Sequence, residues 1–184
     1  MTDKNINKIK SFGFEIIDYC DELDPNNTLF VTGCCARKLD VPRAKVKDLY
    51  LSPRCQTFVK NIKDYKHTGI ISEKYGLVFL DQEVDNYNFG PADLKANPHL
   101  VPKLQEQLRT QIKNEGVDNL VIFGPPLMTV GFMNLLSKVE CNKFLCYGTN
   151  RLTRESINII ESKTNKTKKK VEEPQVSFTK FELF

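Results

Sequence analysis

The chain has 184 residues and a mass of 21.2 kDa, room for one domain with a substantial core. Its 40% hydrophobic and 27% charged content is that of a globular chain, and no apolar run approaches the ~20 residues that span a bilayer, so no membrane partner is expected. The net charge of +4 is concentrated: residues 37–66 hold nine Lys and Arg against three Asp, and residues 163–184 hold six lysines against three glutamates. Met-Thr-Asp-Lys-Asn at the start has no apolar secretory segment, so a cytoplasmic (or nuclear) home is expected. There the six cysteines read as buried thiols, metal ligands or nucleophiles, not as a disulfide framework.

In chain order, Ile6, Ile9, Ile16, Ile17, Cys20 and Leu23 recur at roughly helical intervals and predict a helix over 4–23, weakened at Gly13. A turn at Asp24-Pro25-Asn26-Asn27 leads into a buried strand over 28–32, then a loop over 33–47. Ser52-Pro53 places a cap before a first-turn proline and starts a helix over about 53–65. A second strand is expected over 69–72, an irregular stretch over 85–91, a helix over 99–115 and a third strand over 119–123. Residues 130–138 read as helix, 143–147 as a fourth strand and 151–162 as a closing helix.

Short β-branched strands alternating with helices predict an α/β fold: a three-layer αβα sandwich with a small, mostly parallel, four-stranded sheet. The single domain is expected to span 1–162, followed over 163–184 by a Lys-rich linker and an aromatic tail. Phe178, Phe181 and Phe184 in that tail suit an edge strand on the protein's own sheet or a docking peptide for a protein partner.

In open α/β sheets, ligands bind beyond the carboxyl ends of the strands. Three such ends are expected here, at Gly33–Lys38, Ser72–Gly76 and Gly124–Pro126. Val31-Thr32-Gly33-Cys34-Cys35-Ala36-Arg37-Lys38 releases two thiols, a guanidinium and an ammonium within five residues. Cys34 or Cys35 is a candidate nucleophile if neighbouring cations or a helix N-terminus favour its thiolate; otherwise both are small buried residues. Lys38 is a phosphate ligand, an amine nucleophile or an exposed loop lysine. Asp48 is a candidate for positioning water, Lys38 or Arg37, or it merely pairs with a neighbour. Ser72 and Lys74 suit a ligand, although Ser72 also suits a turn. Tyr75 and Tyr87 are placed to stack on a base, or are half-buried core residues with satisfied hydroxyls. Gly124 gives a strand exit whose backbone can approach a ligand closely.

No GxGxxG, GxxxxGK(S/T) or GxSxG occurs, so no cofactor is expected. Cys141, Cys146, His67 and His99 lack the spacing of a zinc site, so no metal is expected either.

Three stretches together resemble an uncharacterised microbial and phage domain family. They are Gly33-Cys34-Cys35-Ala36-Arg37-Lys38, Ala44 followed by Lys47-Asp48-Leu49-Tyr50-Leu51-Ser52-Pro53, and Ser72-Glu73-Lys74-Tyr75-Gly76-Leu77 followed by Asp85-Asn86-Tyr87. The last is also similar to the YaaA peroxide-stress family. The spacing Cys34-x-x-x-Lys38 resembles the core motif of archaeosine synthase, a tRNA deazaguanine-modifying enzyme, although Leu39-Asp40 stands where that motif has Pro-Tyr. The resemblance spans about residues 29–126. It implies a fold related to uracil-DNA glycosylases and a pocket for a nucleobase, held free or within nucleic acid. It carries over Cys34, Lys38 and Asp48 as catalytic candidates. Gly33, Arg37, Tyr50, Ser72, Lys74, Tyr75, Gly76, Tyr87 and Gly124 complete the expected site as binding candidates. The function expected is a nucleobase- or nucleoside-recognising enzyme of glycosylase-like or base-modifying type. The alternatives are a non-catalytic DNA- or RNA-binding protein and an adaptor acting through its tail.

Overall fold

The computed structural model describes residues 3–18, 23–62 and 65–146. The expected helix over 151–162, the tail with Phe178, Phe181 and Phe184, and the boundary between them lie outside those residues. The chain opens with helix α1 (Asp3–Ser11) and strand β1 (Phe14–Ile17), which replace the one helix expected over 4–23. Gly13 lies between them at φ +79°, a left-handed conformation that stops a helix and that glycine adopts without strain.

Strand β2 (Thr28–Gly33) is buried at every residue. Its threonines are satisfied there: Thr28 Oγ1 donates to the Asp24 carbonyl at 2.6 Å and Thr32 Oγ1 to the Phe123 carbonyl at 2.9 Å. The expected loop contains a short strand, β3 (Arg43–Lys45), and one helical turn, α2 (Val46–Leu49), before helix α3 (Pro53–Ile62). Strands β4 (Thr68–Ser72), β5 (Gly76–Phe79) and β6 (Glu83–Asp85) follow, then helices α4 (Pro91–Ala96) and α5 (Leu100–Glu115). Strand β7 (Asn119–Phe123), helix α6 (Pro126–Leu135) and strand β8 (Asn142–Cys146) complete the described chain. Helix α6 starts before the expected 130–138 because Pro126 has the fixed φ that suits a first helical turn.

The main sheet has six strands in the order β1-β8-β7-β2-β4-β5, not the four expected. Every neighbouring pair is parallel except β4–β5, an antiparallel hairpin. β3 and β6 form a separate antiparallel pair. Phe30, Val121, Phe123 and Cys146 meet Phe58 and Ile62 of α3 in one apolar cluster. The alternate residues Leu29, Val31, Leu120, Ile122 and Leu145 meet α1, α5 and α6 in another. Helices thus cover both faces, as period-2 alternation in buried strands requires. Among the described residues no helix is long and apolar enough to cross a membrane.

The topology decides where a ligand can sit. The chain leaves β2 towards β4, returns through α5 to β7 on the other side of β2, and moves outward to β8. The carboxyl ends of β4, β2 and β7 therefore lie side by side at a reversal of winding.

Candidate functional site

The site grows from the ends of β2 and β4. Past Gly33 the ladder continues for one residue, as the Cys34 amide donates to the Ile71 carbonyl at 2.9 Å. The chain then loops out and returns, pairing Lys38 with Tyr50. Leu39 N donates to the Leu49 carbonyl and Leu51 N to the Arg37 carbonyl, which fixes Lys38 beside the β4 end. β4 ends at Ser72, whose buried hydroxyl accepts from the amides of Lys74 and Tyr75, both at 3.1 Å. Those two bonds hold the tight turn that aims Glu73, Lys74 and Tyr75. Asn86 ties the third segment on: its Nδ2 donates to the carbonyls of Leu39 and Val41.

Tyr87 sits where the three segments meet. Its hydroxyl lies 2.8 Å from both Ser72 Oγ and the Tyr50 hydroxyl. The Lys38 ammonium lies 4.1 Å from the Tyr87 ring centroid, and that of Lys74 lies 5.4 Å from it and 5.0 Å from Tyr75. Tyr75 meets Tyr87 edge-on, with centroids 5.2 Å apart. Two ammoniums thus share one aromatic ring, an arrangement worth ~0.5–2 kcal/mol per contact. Lys38 and Lys74 accordingly border one site.

Glu73 faces this group and is the main residue that the sequence reading passed over. A carboxylate between a serine and a lysine on a turn looks like a solvated charge; only its place directly after a buried strand marked it out. The Cys34 thiol donates to Glu73 Oε2 at 3.7 Å. Burial pushes the Cys34 thiol up to about 11, and the neighbouring Glu73 charge reinforces this. Cys34 is therefore a protonated hydrogen-bond donor near neutral pH, which argues against its expected role as a thiolate nucleophile. Burial also raises the Glu73 carboxyl, while the Cys34 thiol and the Lys38 charge draw it back. Burial raises the phenols of Tyr50 and Tyr87, so both stay protonated.

The raised Glu73 carboxyl has a consequence for stability. Between the unfolded value of about 4.3 and its higher folded value, the native state holds more proton than the unfolded chain. Stability should therefore fall as pH rises through that window. Urea midpoints measured across it should show a slope that Glu73→Gln flattens; an unchanged slope would remove Glu73 as its source.

The other expected residues fall differently. Arg37 is exposed, with its carbonyl accepting from Leu51. Asp48 is exposed on α2, and among the described residues no hydrogen bond or ion pair joins it to Lys38 or Arg37. Its proposed hold on those residues is absent because the α2 turn presents it to solvent. The three glycines serve packing. A Cβ on Gly33 would lie 2.1 Å from the Phe132 ring, and one on Gly76 would lie 2.4 Å from Gln111 Oε1. One on Gly124 would press on Thr129 and Arg54. Gly76 also needs its φ of +76° to turn the chain into β5. Tyr50 and Tyr87 are buried with Lys38 over both rings, and Tyr75 is half-buried with Lys74 over its ring.

The basic excess of residues 37–66 is partly cancelled in space. Arg43 lies 3.5 Å from Glu83 and Lys47 lies 2.7 Å from Asp81, acids supplied by β6 and the turn before it. Arg54 turns inward and donates to the carbonyls of Gly33 and Cys34. Among the described residues, no three of His, Cys, Asp and Glu gather as a metal site would need. A recess of about 150 Å³ lined by Arg109, Ile112, Val117 and Cys141 lies by the opposite ends of β7 and β8.

No curated protein and no solved structure is significantly similar to the chain. One family model does match, over residues 29–142, from the second residue of β2 to the first of β8 and so across the whole Lys38–Glu73–Tyr87 group. The chain belongs to that family, a family of unknown function (DUF6884).

Proposed function

We propose that the mouth between β2 and β4 recognises a nucleobase or nucleoside and carries out proton-transfer chemistry on it. The observation that carries this reading is the placement of Glu73, Lys38, Lys74 and Tyr75 around one point at the carboxyl ends of adjacent parallel strands. Tyr75 is half-buried and offers a stacking surface, worth ~1–3 kcal/mol against a base. The Glu73 carboxyl suits the ring N–H and amino groups of a base, and the ammoniums suit its carbonyl oxygens or a phosphate. A carboxyl raised by burial is also disposed to hold and give up a proton during a reaction. Kinship with uracil-DNA-glycosylase-like proteins, archaeosine synthase and YaaA belongs to the same proposal, resting on the resemblance of Cys34-x-x-x-Lys38 to the archaeosine synthase motif and of Ser72-Glu73-Lys74-Tyr75-Gly76 to the YaaA one.

The pairing of Arg43 and Lys47 with acids favours a small ligand over a long phosphodiester grip. The test is a thermal-shift screen of free bases and nucleosides, followed by titration of any hit. At least one purine or pyrimidine should stabilise the chain. Lys38→Ala and Glu73→Gln should each weaken it by about 10- to 100-fold, ~1.4–2.8 kcal/mol. Absence of binding to every base and nucleoside, or equal binding by both variants, would defeat the reading.

A further inference from the structure

A second group of reactive side chains lies on the other side of the β2 end. The side chains of Cys35 and Cys55 meet where the start of α3 packs on the β2 end, the Cys55 thiol reaching the carbonyl two residues before Cys35. Cys55 is fully buried, and its thiol donates to the Gly33 carbonyl at 3.5 Å. Cys35 is half-buried and so reachable from solvent. Ser52 caps the helix, its hydroxyl accepting from the Cys55 amide at 3.2 Å, and also meets the Cys35 thiol.

Arg54 adds an independent observation. One guanidinium nitrogen donates to the carbonyls of Gly33 and Cys34 at 2.9 and 3.0 Å. Its other two nitrogens, Nε and Nη1, are buried without a hydrogen-bond partner, and among the described residues no carboxylate pairs with it. A part-buried cation of this kind calls for a neighbouring negative charge. The sulfur of Cys35, in the residue directly after the carbonyl that Arg54 holds, can supply one. The surroundings point the same way: the Cys55 thiol, then Ser52 and Arg54, draw Cys35 down to about 5, whereas Cys55 is pushed up by its bond to Cys35 and by burial. Burial opposes that shift, and so does the Arg37 carbonyl, to which a protonated Cys35 donates at 3.1 Å. Helix N-termini and adjacent cations are the settings in which thiolates become reactive.

We propose that Cys35 and Cys55 form a redox-active dithiol that is oxidised reversibly by low-molecular-weight disulfides. The Cys35 thiolate attacks one sulfur of the disulfide RSSR, forming a mixed disulfide and releasing RS⁻. The Cys55 thiol then gives up its proton and attacks the Cys35 sulfur, which breaks the mixed bond and releases the second R group as a thiol. Overall, two protein sulfurs are oxidised to one Cys35–Cys55 bond while RSSR is reduced to RS⁻ and RSH. Cys35 is the accessible attacking sulfur and Cys55 the buried resolving one. Cys34, one residue away, faces Glu73 and takes no part.

The experiment is incubation of the full chain with glutathione disulfide, then non-reducing tryptic mapping. Wild-type protein should yield fragments 11–37 and 55–60 joined by a disulfide. The link should survive Cys34→Ser and vanish in Cys35→Ser, and Cys55→Ser should retain one glutathione on Cys35. Since Cys55 is buried and its variant can fail to fold, wild-type alkylation gives a second readout. Iodoacetamide at mildly acidic pH should modify Cys35 at least about tenfold faster than Cys34. A link that persists in Cys35→Ser, no link in wild type, or equal alkylation of Cys34 and Cys35 would overturn the proposal.

Discussion

Gly33→Ala is expected to destabilise the protein by about 3 kcal/mol, at the upper end of the overpacking range. Gly33 closes the central strand, and helix α6 lies directly on it. The added methyl would sit 2.1, 2.4 and 2.7 Å from three carbons of the Phe132 ring, inside any allowed contact. Phe132 is itself 7% exposed and packed among α6 neighbours, so the ring cannot simply swing into solvent. Helix α6 must move off the sheet, or β2 must bend and disturb the Gly33 carbonyl that Arg54 and Cys55 share. Urea unfolding of both proteins measures the cost directly. Adding Phe132→Leu should restore at least ~1 kcal/mol, because space for the methyl is then available. A Gly33→Ala protein within ~0.5 kcal/mol of the parent would show that the helix–strand contact is soft.

Ser72→Ala is expected to cost about 3 kcal/mol and to loosen the candidate site at the same time. One buried hydroxyl serves three partners: the amides of Lys74 and Tyr75, and the hydroxyl of Tyr87. Removing it leaves two donors of the turn and one phenol short of a partner, at ~1 kcal/mol each. Tyr87→Phe removes the hydroxyl that both Ser72 and Tyr50 meet and should cost ~1–2 kcal/mol. In the double variant the penalties should fall short of their sum by ~0.5–1 kcal/mol, since both remove the same bond. Strict additivity would mean that the serine acts only through the turn amides.

The regions legible in the sequence are those where local preference and burial agree. The expected strands over 28–32, 69–72, 119–123 and 143–147 match β2, β4, β7 and β8, the interior parallel strands, rich in Ile, Val, Leu and Phe. The strands that went unread are the sheet edges and the small pair. Ile16 and Ile17 keep helical spacing with Ile6 and Ile9, and only pairing with β8, more than a hundred residues away, makes them a strand. β3 and β6 have three residues each, too few to register as strands without each other.

The sequence by itself determined which reactive groups gather at the strand ends: Cys34, Cys35 and Lys38 after β2, and Ser72, Lys74 and Tyr75 after β4, because a buried apolar run must stop where polar residues begin. Tertiary structure alone decided which of them meet. Cys34 and Cys35 are neighbours in the chain, but one sulfur faces the Glu73 carboxyl and the other the start of α3. Chemistry follows the charges around a sulfur, and those charges arrive from residues twenty to forty positions away, brought in by the order of the strands.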